Sequence, residues 1–167
     1  MAPSPYPFVE QTLQVPESLE TPEFRLRMLS VNDVVKDFDA VMSSVDQLRK
    51  VWPESDWPKG LTLEQNLVDL GWHQREFQSR RSFAYTVVAI DETKVLGCVY
   101  IEPTRKLGYD VEVYLWVREC EPGTGLDSRL FEVVRCWLAK EWPFKKPAFP
   151  GREIDWKTWT SLPDEKR

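Results

Sequence analysis

Hydrophobic and polar positions alternate over residues 111–118, where Val111, Val113, Leu115 and Val117 are interleaved with Glu112, Tyr114, Trp116 and Arg118. A period of two is that of a half-buried strand. Beyond a turn containing Gly123-Thr124-Gly125 the period lengthens. Leu126, Leu130, Val133, Val134, Trp137 and Leu138 recur at helical spacing, which predicts an amphipathic helix. The chain therefore passes from strand through glycine turn to helix without a break over 110–138. Such a junction gathers backbone N–H groups and the positive end of a helix at one point, an arrangement that holds phosphate.

Upstream, residues 24–29 alternate as a strand, and Ser30 followed by Asp33 marks a helix start. The pattern predicts one helix over 34–51, ended by Trp52-Pro53, and a loop through Trp57-Pro58-Lys59-Gly60. Thr62 with Gln65 has the spacing of a capping box for a second helix reaching about Arg80. Residues 83–90 and 95–101 read as two strands joined by a turn at Asp91-Glu92-Thr93. The predicted order is strand, two helices, three strands, helix. Past the third helix the prolines at 143, 147, 150 and 163 break the chain; 146–149 reads as a further strand, and Trp156 with Trp159 as one face of a short closing helix.

Residues 1–22 are proline-rich and lack a period, so they read as an extended or disordered arm. Its Tyr6, Phe8, Val9 and Leu13 give it the means to lie across the domain or a neighbouring subunit. Residues 23–167 remain as a single domain, in keeping with 167 residues and 42% hydrophobic content, enough for one core.

A formal charge of -5 speaks against nonspecific nucleic-acid binding, which needs clustered Lys and Arg. No run is long and apolar enough for a membrane span, and the start of the chain lacks a signal peptide's basic and apolar regions, so a cytoplasmic protein is expected. Cys98, Cys120 and Cys136 show no CxxC spacing and read as reduced thiols, with Cys98 and Cys136 packed in the core. His73, the only histidine, cannot by itself build a metal cluster; it is either a proton-transfer group on the second helix or a surface or capping residue. No metal site is expected. Gly-x-Ser-x-Gly, P-loop and Rossmann signatures are absent.

The strand, the Gly-x-Gly turn, the hydrophobic Leu126 and the Leu130 four positions later resemble the acyl-CoA site of the GNAT N-acetyltransferases. The element order over residues 24–144 resembles that family too, and Val95-Leu96-Gly97-Cys98-Val99 is similar to its third strand. Glu112-Val113-Tyr114-Leu115-Trp116-Val117 is similar to the Glu-hydrophobic-Gly-Tyr-Trp-hydrophobic strand of the branch that acetylates ribosomal protein N-termini, with Tyr114 and Leu115 where Gly and Tyr are usual. The family's turn reads Gln/Arg-x-x-Gly-x-Gly/Ala, whereas Pro122 and Asp127 occupy its first and last positions here. Pro122 has no N–H, and Asp127 sets a carboxylate where a pyrophosphate would be repelled.

The resemblance implies an α+β fold, a mixed and mostly antiparallel sheet flanked by helices, with a shortened C-terminus that lacks the family's terminal hairpin. Either catalysis is then simpler than in the family, or a second subunit, as in a homodimer, completes the site. It implies acetyl-CoA as acyl donor, met by the backbone of Leu115 and Val117 and by N–H groups of Gly123, Thr124, Gly125 and Leu126. The acceptor is a small-molecule or peptide amine. Glu112 is the candidate base and Tyr114 the candidate acid, with Asp110 as a second carboxylate on that face and Trp52 and Trp57 as acceptor-loop residues. The alternative is a GNAT-shaped binding or interaction module in which Glu119, Glu121, Pro122 and Asp127 have abolished cofactor affinity.

Overall fold

In the computed structural model, which describes residues 7–118 and 124–165, one sheet runs in the order β1 (Ser18–Glu20), β2 (Phe24–Met28), β3 (Phe83–Ala89), β4 (Val95–Glu102), β5 (Val111–Val117), β6 (Pro147–Ala148). Neighbours from β1 to β5 are antiparallel and β6 lies parallel to β5. The helices are α1 (Val34–Met42), α2 (Val45–Val51), α3 (Leu63–Gln78), α4 (Leu126–Glu141) and α5 (Trp156–Ser161).

Strand alternation sends side chains to two faces, and each face has its own helices. Val111, Val113, Leu115 and Val117 join Leu126, Leu130, Val134 and Trp137 of α4 in one core. Cys98, Trp116, Val88 and Ala84 face the other way, onto Ala40 and Val41 of α1, Leu48 of α2 and Leu70 of α3. Where β4 meets β5 the strands approach so closely at Gly97 that a Cβ there would stand 2.0 Å from the Trp116 carbonyl oxygen.

Local chemistry fixes the element ends. The Thr62–Gln65 capping box forms as predicted, with Thr62 N–H donating to Gln65 Oε1 at 3.0 Å and Gln65 N–H to Thr62 Oγ1 at 3.2 Å. Asp33 accepts from the Ser30 N–H at 3.1 Å and closes a 3-10 turn, Val31–Asp33, ahead of α1. Arg27 of β2 grips the same carboxylate at 2.8 and 3.0 Å and also binds Glu92 in the β3–β4 turn.

The single helix expected over 34–51 is two helices. The hydroxyls of Ser43 and Ser44 both donate to the Ala40 carbonyl, at 3.0 and 2.7 Å, taking the acceptor that the next helical turn would use. Cys98 is buried and donates its S–H to the Tyr85 carbonyl, whereas Cys136 is exposed. The correction follows from helix period: α4 buries Leu130, Val134, Trp137 and Leu138, which leaves Cys136 on the outer side. Cys120 lies outside the described residues.

The N-terminal segment lies against the domain. Val9 is buried, Phe8 stacks on Phe144 with ring centroids 5.6 Å apart, the Tyr85 hydroxyl donates to the Pro16 carbonyl at 2.6 Å, and β1 adds the first strand of the sheet. At the other end, Gly151 takes a left-handed φ of +79° in the turn leading to α5, and Lys106 bridges to Asp164. No helix among the described residues is long and apolar enough to cross a membrane.

Candidate active site

The β4–β5 register sets Glu102 opposite Glu112 and Tyr100 opposite Tyr114. Directly opposed residues share a face, so these four side chains stand together on the side covered by α1, α2 and α3. They meet the loop after α2 and the middle of α3 around a cavity of about 260 Å³, lined by Trp52, Ser55, Trp57, His73, Tyr100, Glu102 and Tyr114. Trp52 holds the aromatic wall together: its ring lies 5.6 Å from Trp57, 5.7 Å from Tyr100 and 5.9 Å from Tyr114.

Burial governs the protonation states. The Glu102 carboxyl is pushed up to about 7, first by burial and then by the Glu112 charge across the strand pair. Glu112 is raised as well, by burial, against the opposing hydrogen bonds of Thr104 and Tyr114. The Tyr114 hydroxyl donates to Glu112 Oε1 at 3.3 Å, and burial with that carboxylate drives its own ionisation far above the ordinary tyrosine value. His73 is pushed down to about 4 by burial and is neutral near pH 7. Two carboxyl groups raised by burial, Glu102 to about 7, beside a protonated phenol form a set able to exchange a proton with a bound amine.

Glu112 and Tyr114, the candidate base and acid, are thus brought into contact. Trp52 and Trp57 line the same cavity, and His73 closes one side with its ring 5.3 Å from Tyr100. Asp110 does not join them; its carboxylate accepts the backbone N–H groups of Lys145 and Lys146 at 2.7 and 3.1 Å. Glu102 escaped the sequence reading. Its alternation with Tyr100 was visible, but the connection 103–110 leaves the register against β5 undetermined by pattern alone.

The second part of the site lies on the far edge of β5. β5 and β6 pair only at Val111–Pro147 and Glu112–Ala148 and separate beyond that point. The Leu115 carbonyl faces the gap and accepts Arg152 Nη2 at 3.1 Å. The same guanidinium holds Asp127 through both oxygens, at 2.7 and 2.8 Å, and lies 5.4 Å from the Phe131 ring centroid. Val117 offers its carbonyl to Gln47 Nε2 at 3.5 Å.

At the start of α4, Gly125 adopts the left-handed conformation with φ +73°, and the Leu126 N–H donates to Thr124 Oγ1 at 3.3 Å. Arg129 donates to the Thr124 carbonyl at 2.6 Å and is clamped by Glu23. Gly123, with Glu119, Glu121 and Pro122, lies outside the described residues. One short segment touches both halves of the site: Arg152 reaches the β5 edge, and Trp156 stacks on Tyr114 at 6.1 Å and 7°.

No protein-family model matches the chain, and no curated protein sequence matches it. Solved structures do. RimL, a ribosomal L7/L12 alpha-N-protein acetyltransferase, superposes with a TM-score of 0.61 at 13% identity, over 81% of this chain and 69% of that one. The ribosomal-protein-S5-alanine acetyltransferase from Vibrio fischeri gives 0.59 at 19% identity, over 74% and 67%. The microcin C7 self-immunity acetyltransferase MccE, solved with acetyl-CoA and AMP, gives 0.60 at 11% identity, over 77% and 69%. At these identities the likeness is one of architecture, and it agrees with the six-stranded, mostly antiparallel sheet and its flanking helices. The chain has the GNAT N-acetyltransferase fold.

Proposed function

We propose that this chain is an N-acetyltransferase that moves an acetyl group from acetyl-CoA to an amine. The observation that carries the reading is the facing pair Glu102 and Glu112, of which Glu102 lines an aromatic-walled cavity, beside the strand whose free edge opens between β5 and β6. Acetyl-CoA supplies an activated acyl group and a sulfur leaving group. The Leu115 and Val117 backbone edge and the glycine-led start of α4 fit an extended, phosphate-tailed molecule, with Gly123, Thr124, Gly125 and Leu126 as the proposed phosphate-side residues. Arg152 stands on the Leu115 carbonyl and has to turn aside for the arm to pair there.

Glu112, with Glu102 opposite it, accepts a proton from the bound ammonium. The freed nitrogen lone pair forms the N–C bond while the C–S bond breaks towards sulfur; Tyr114 is the proposed donor of the proton that sulfur takes, and the second proton that nitrogen sheds on becoming an amide returns to the Tyr114 oxygen. The acceptor is a small-molecule or peptide amine; RimL and the S5-alanine enzyme act on ribosomal proteins.

Arg152 also favours a second reading. By occupying the Leu115 carbonyl and Asp127 it gives the groove an internal partner, as a module without cofactor would have. Labelled acetyl-CoA incubated with a panel of amines separates the two: the transferase labels at least one amine, and Glu112→Gln slows that labelling by about 10²- to 10⁴-fold. A chain that labels no amine and binds no acetyl-CoA is the module.

A further inference from the structure

On the transferase reading, we infer that the acceptor presents an ammonium group on an unbranched aliphatic chain, held by the Glu102–Glu112 pair and the tryptophan–tyrosine wall around Trp52. Five observations converge on this class. The wall is aromatic on several sides, with Trp52 in ring contact with Trp57, Tyr100 and Tyr114, and aromatic faces attract cations. Glu102 lines the cavity and has no hydrogen-bond or ion-pair partner among the described residues, so it is an acceptor waiting for a donor.

No Lys or Arg lines the cavity, and His73 is neutral, so no cation of the lining competes for Glu102, while Glu112 behind it is held by the Tyr114 hydroxyl. The volume of about 260 Å³ is below the usual range for drug-sized ligands and suits a single chain. Ser55 and His73 are the only neutral polar groups of the lining apart from the tyrosine hydroxyls and indole N–H groups. An α-amine would bring its adjacent amide into a site with few partners for it, whereas methylenes need none.

The chemistry is shared by a free alkylamine and by a lysine side chain, and the test separates them. The full-length chain is titrated at about pH 8, without acetyl-CoA, following tryptophan fluorescence from the cavity wall. The probes are n-butylammonium, neutral n-butanol, and an N-terminally blocked peptide carrying one lysine, with its norleucine counterpart. Butylammonium is expected to bind at least about tenfold more tightly than butanol. Glu102→Gln and Trp57→Ala each weaken it about fivefold or more, and Trp57→Phe restores part of the loss.

Tighter binding of the lysine peptide than of butylammonium assigns the site to protein lysines, and the reverse order to a free amine. Equal affinity for amine and alcohol, or amine binding untouched in folded Glu102→Gln and Trp57→Ala chains, overturns the inference. The transferase reading fails separately. Cation-selective binding with no labelling by acetyl-CoA leaves the cavity assignment standing and removes the reaction; labelling that ignores Trp57 and Glu102 does the opposite.

Discussion

Arg152 and Asp127 form a two-pronged ion pair, at 2.7 and 2.8 Å, across the opening between β5 and the start of α4. Asp127 is the residue that would repel a pyrophosphate, and the structure supplies the cation that neutralises it. The pair also keeps Arg152 on the Leu115 carbonyl. Asp127→Asn removes a negative charge and loosens Arg152 together, so acetyl-CoA should bind more tightly by about five- to tenfold, the effect of about 1 kcal/mol between charges in a solvated site. Calorimetric titration measures it. Unchanged or weaker binding would mean that the phosphates do not approach this helix start.

The carboxyl pair should set the pH dependence. A carboxylate is needed to take the amine proton, so turnover should rise with pH through about 7, the value to which Glu102 is pushed. Glu102→Gln should lose that limb of the profile. Stability should move oppositely. Because the folded state holds the Glu102 proton above its ordinary 4.5, the group's contribution is intact below that value and is lost as pH rises through about 7. Glu102→Gln should therefore gain on the order of 1–2 kcal/mol over the parent chain at about pH 8 and nothing at about pH 4. Denaturant melts at the two pH values decide it.

The ion-pair cluster at the end of β2 should be worth more than a surface pair. Asp33 is buried, which by itself raises its carboxyl, yet the Arg27 and Ser30 hydrogen bonds outweigh burial and hold it below the ordinary aspartate value. Stability from this group is present above that ordinary value and fades as the solution is acidified through the lowered one. Asp33→Ala leaves Arg27 with Glu92 and the Met28 carbonyl and should cost about 3 kcal/mol at neutral pH, read from urea melts. A loss under 1 kcal/mol would show that the cluster adds little.

Gly97→Ala should be among the most damaging single changes. Its new Cβ would sit 2.0 Å from the Trp116 carbonyl oxygen, inside the strand pair that carries the carboxylates. The expected cost exceeds about 3 kcal/mol, with loss of soluble chain or a melting temperature lowered by several degrees. A near-neutral melt would require β4 and β5 to separate locally.

Much of this scaffold was legible because its signals are local. The alternation of 111–118 returned as β5, one residue shorter at its end, and the Thr62–Gln65 box opened α3. Ser43-Ser44 was read through as helix because its effect depends on two hydroxyls choosing the Ala40 carbonyl over solvent, which spacing does not record. Half of the site was legible for the same reason: Glu112 and Tyr114 lie on one strand face, and their contact follows from a period of two. Glu102 and Arg152 were not, since each meets its partner through tertiary register, one across β4–β5 and the other from a turn beyond β6. The misplaced Asp110 illustrates the reverse case, a face shared in pattern but bent away at the strand's end to cap the backbone of Lys145 and Lys146.

Thermal unfolding of the full chain with and without acetyl-CoA tests the transferase account most directly. At about 100 times its dissociation constant the ligand should add about 2.7 kcal/mol, a rise of roughly 5–10 °C for a domain of this size. No rise at millimolar acetyl-CoA, in the parent chain and in Asp127→Asn alike, would contradict it and leave Arg152 as the groove's permanent occupant.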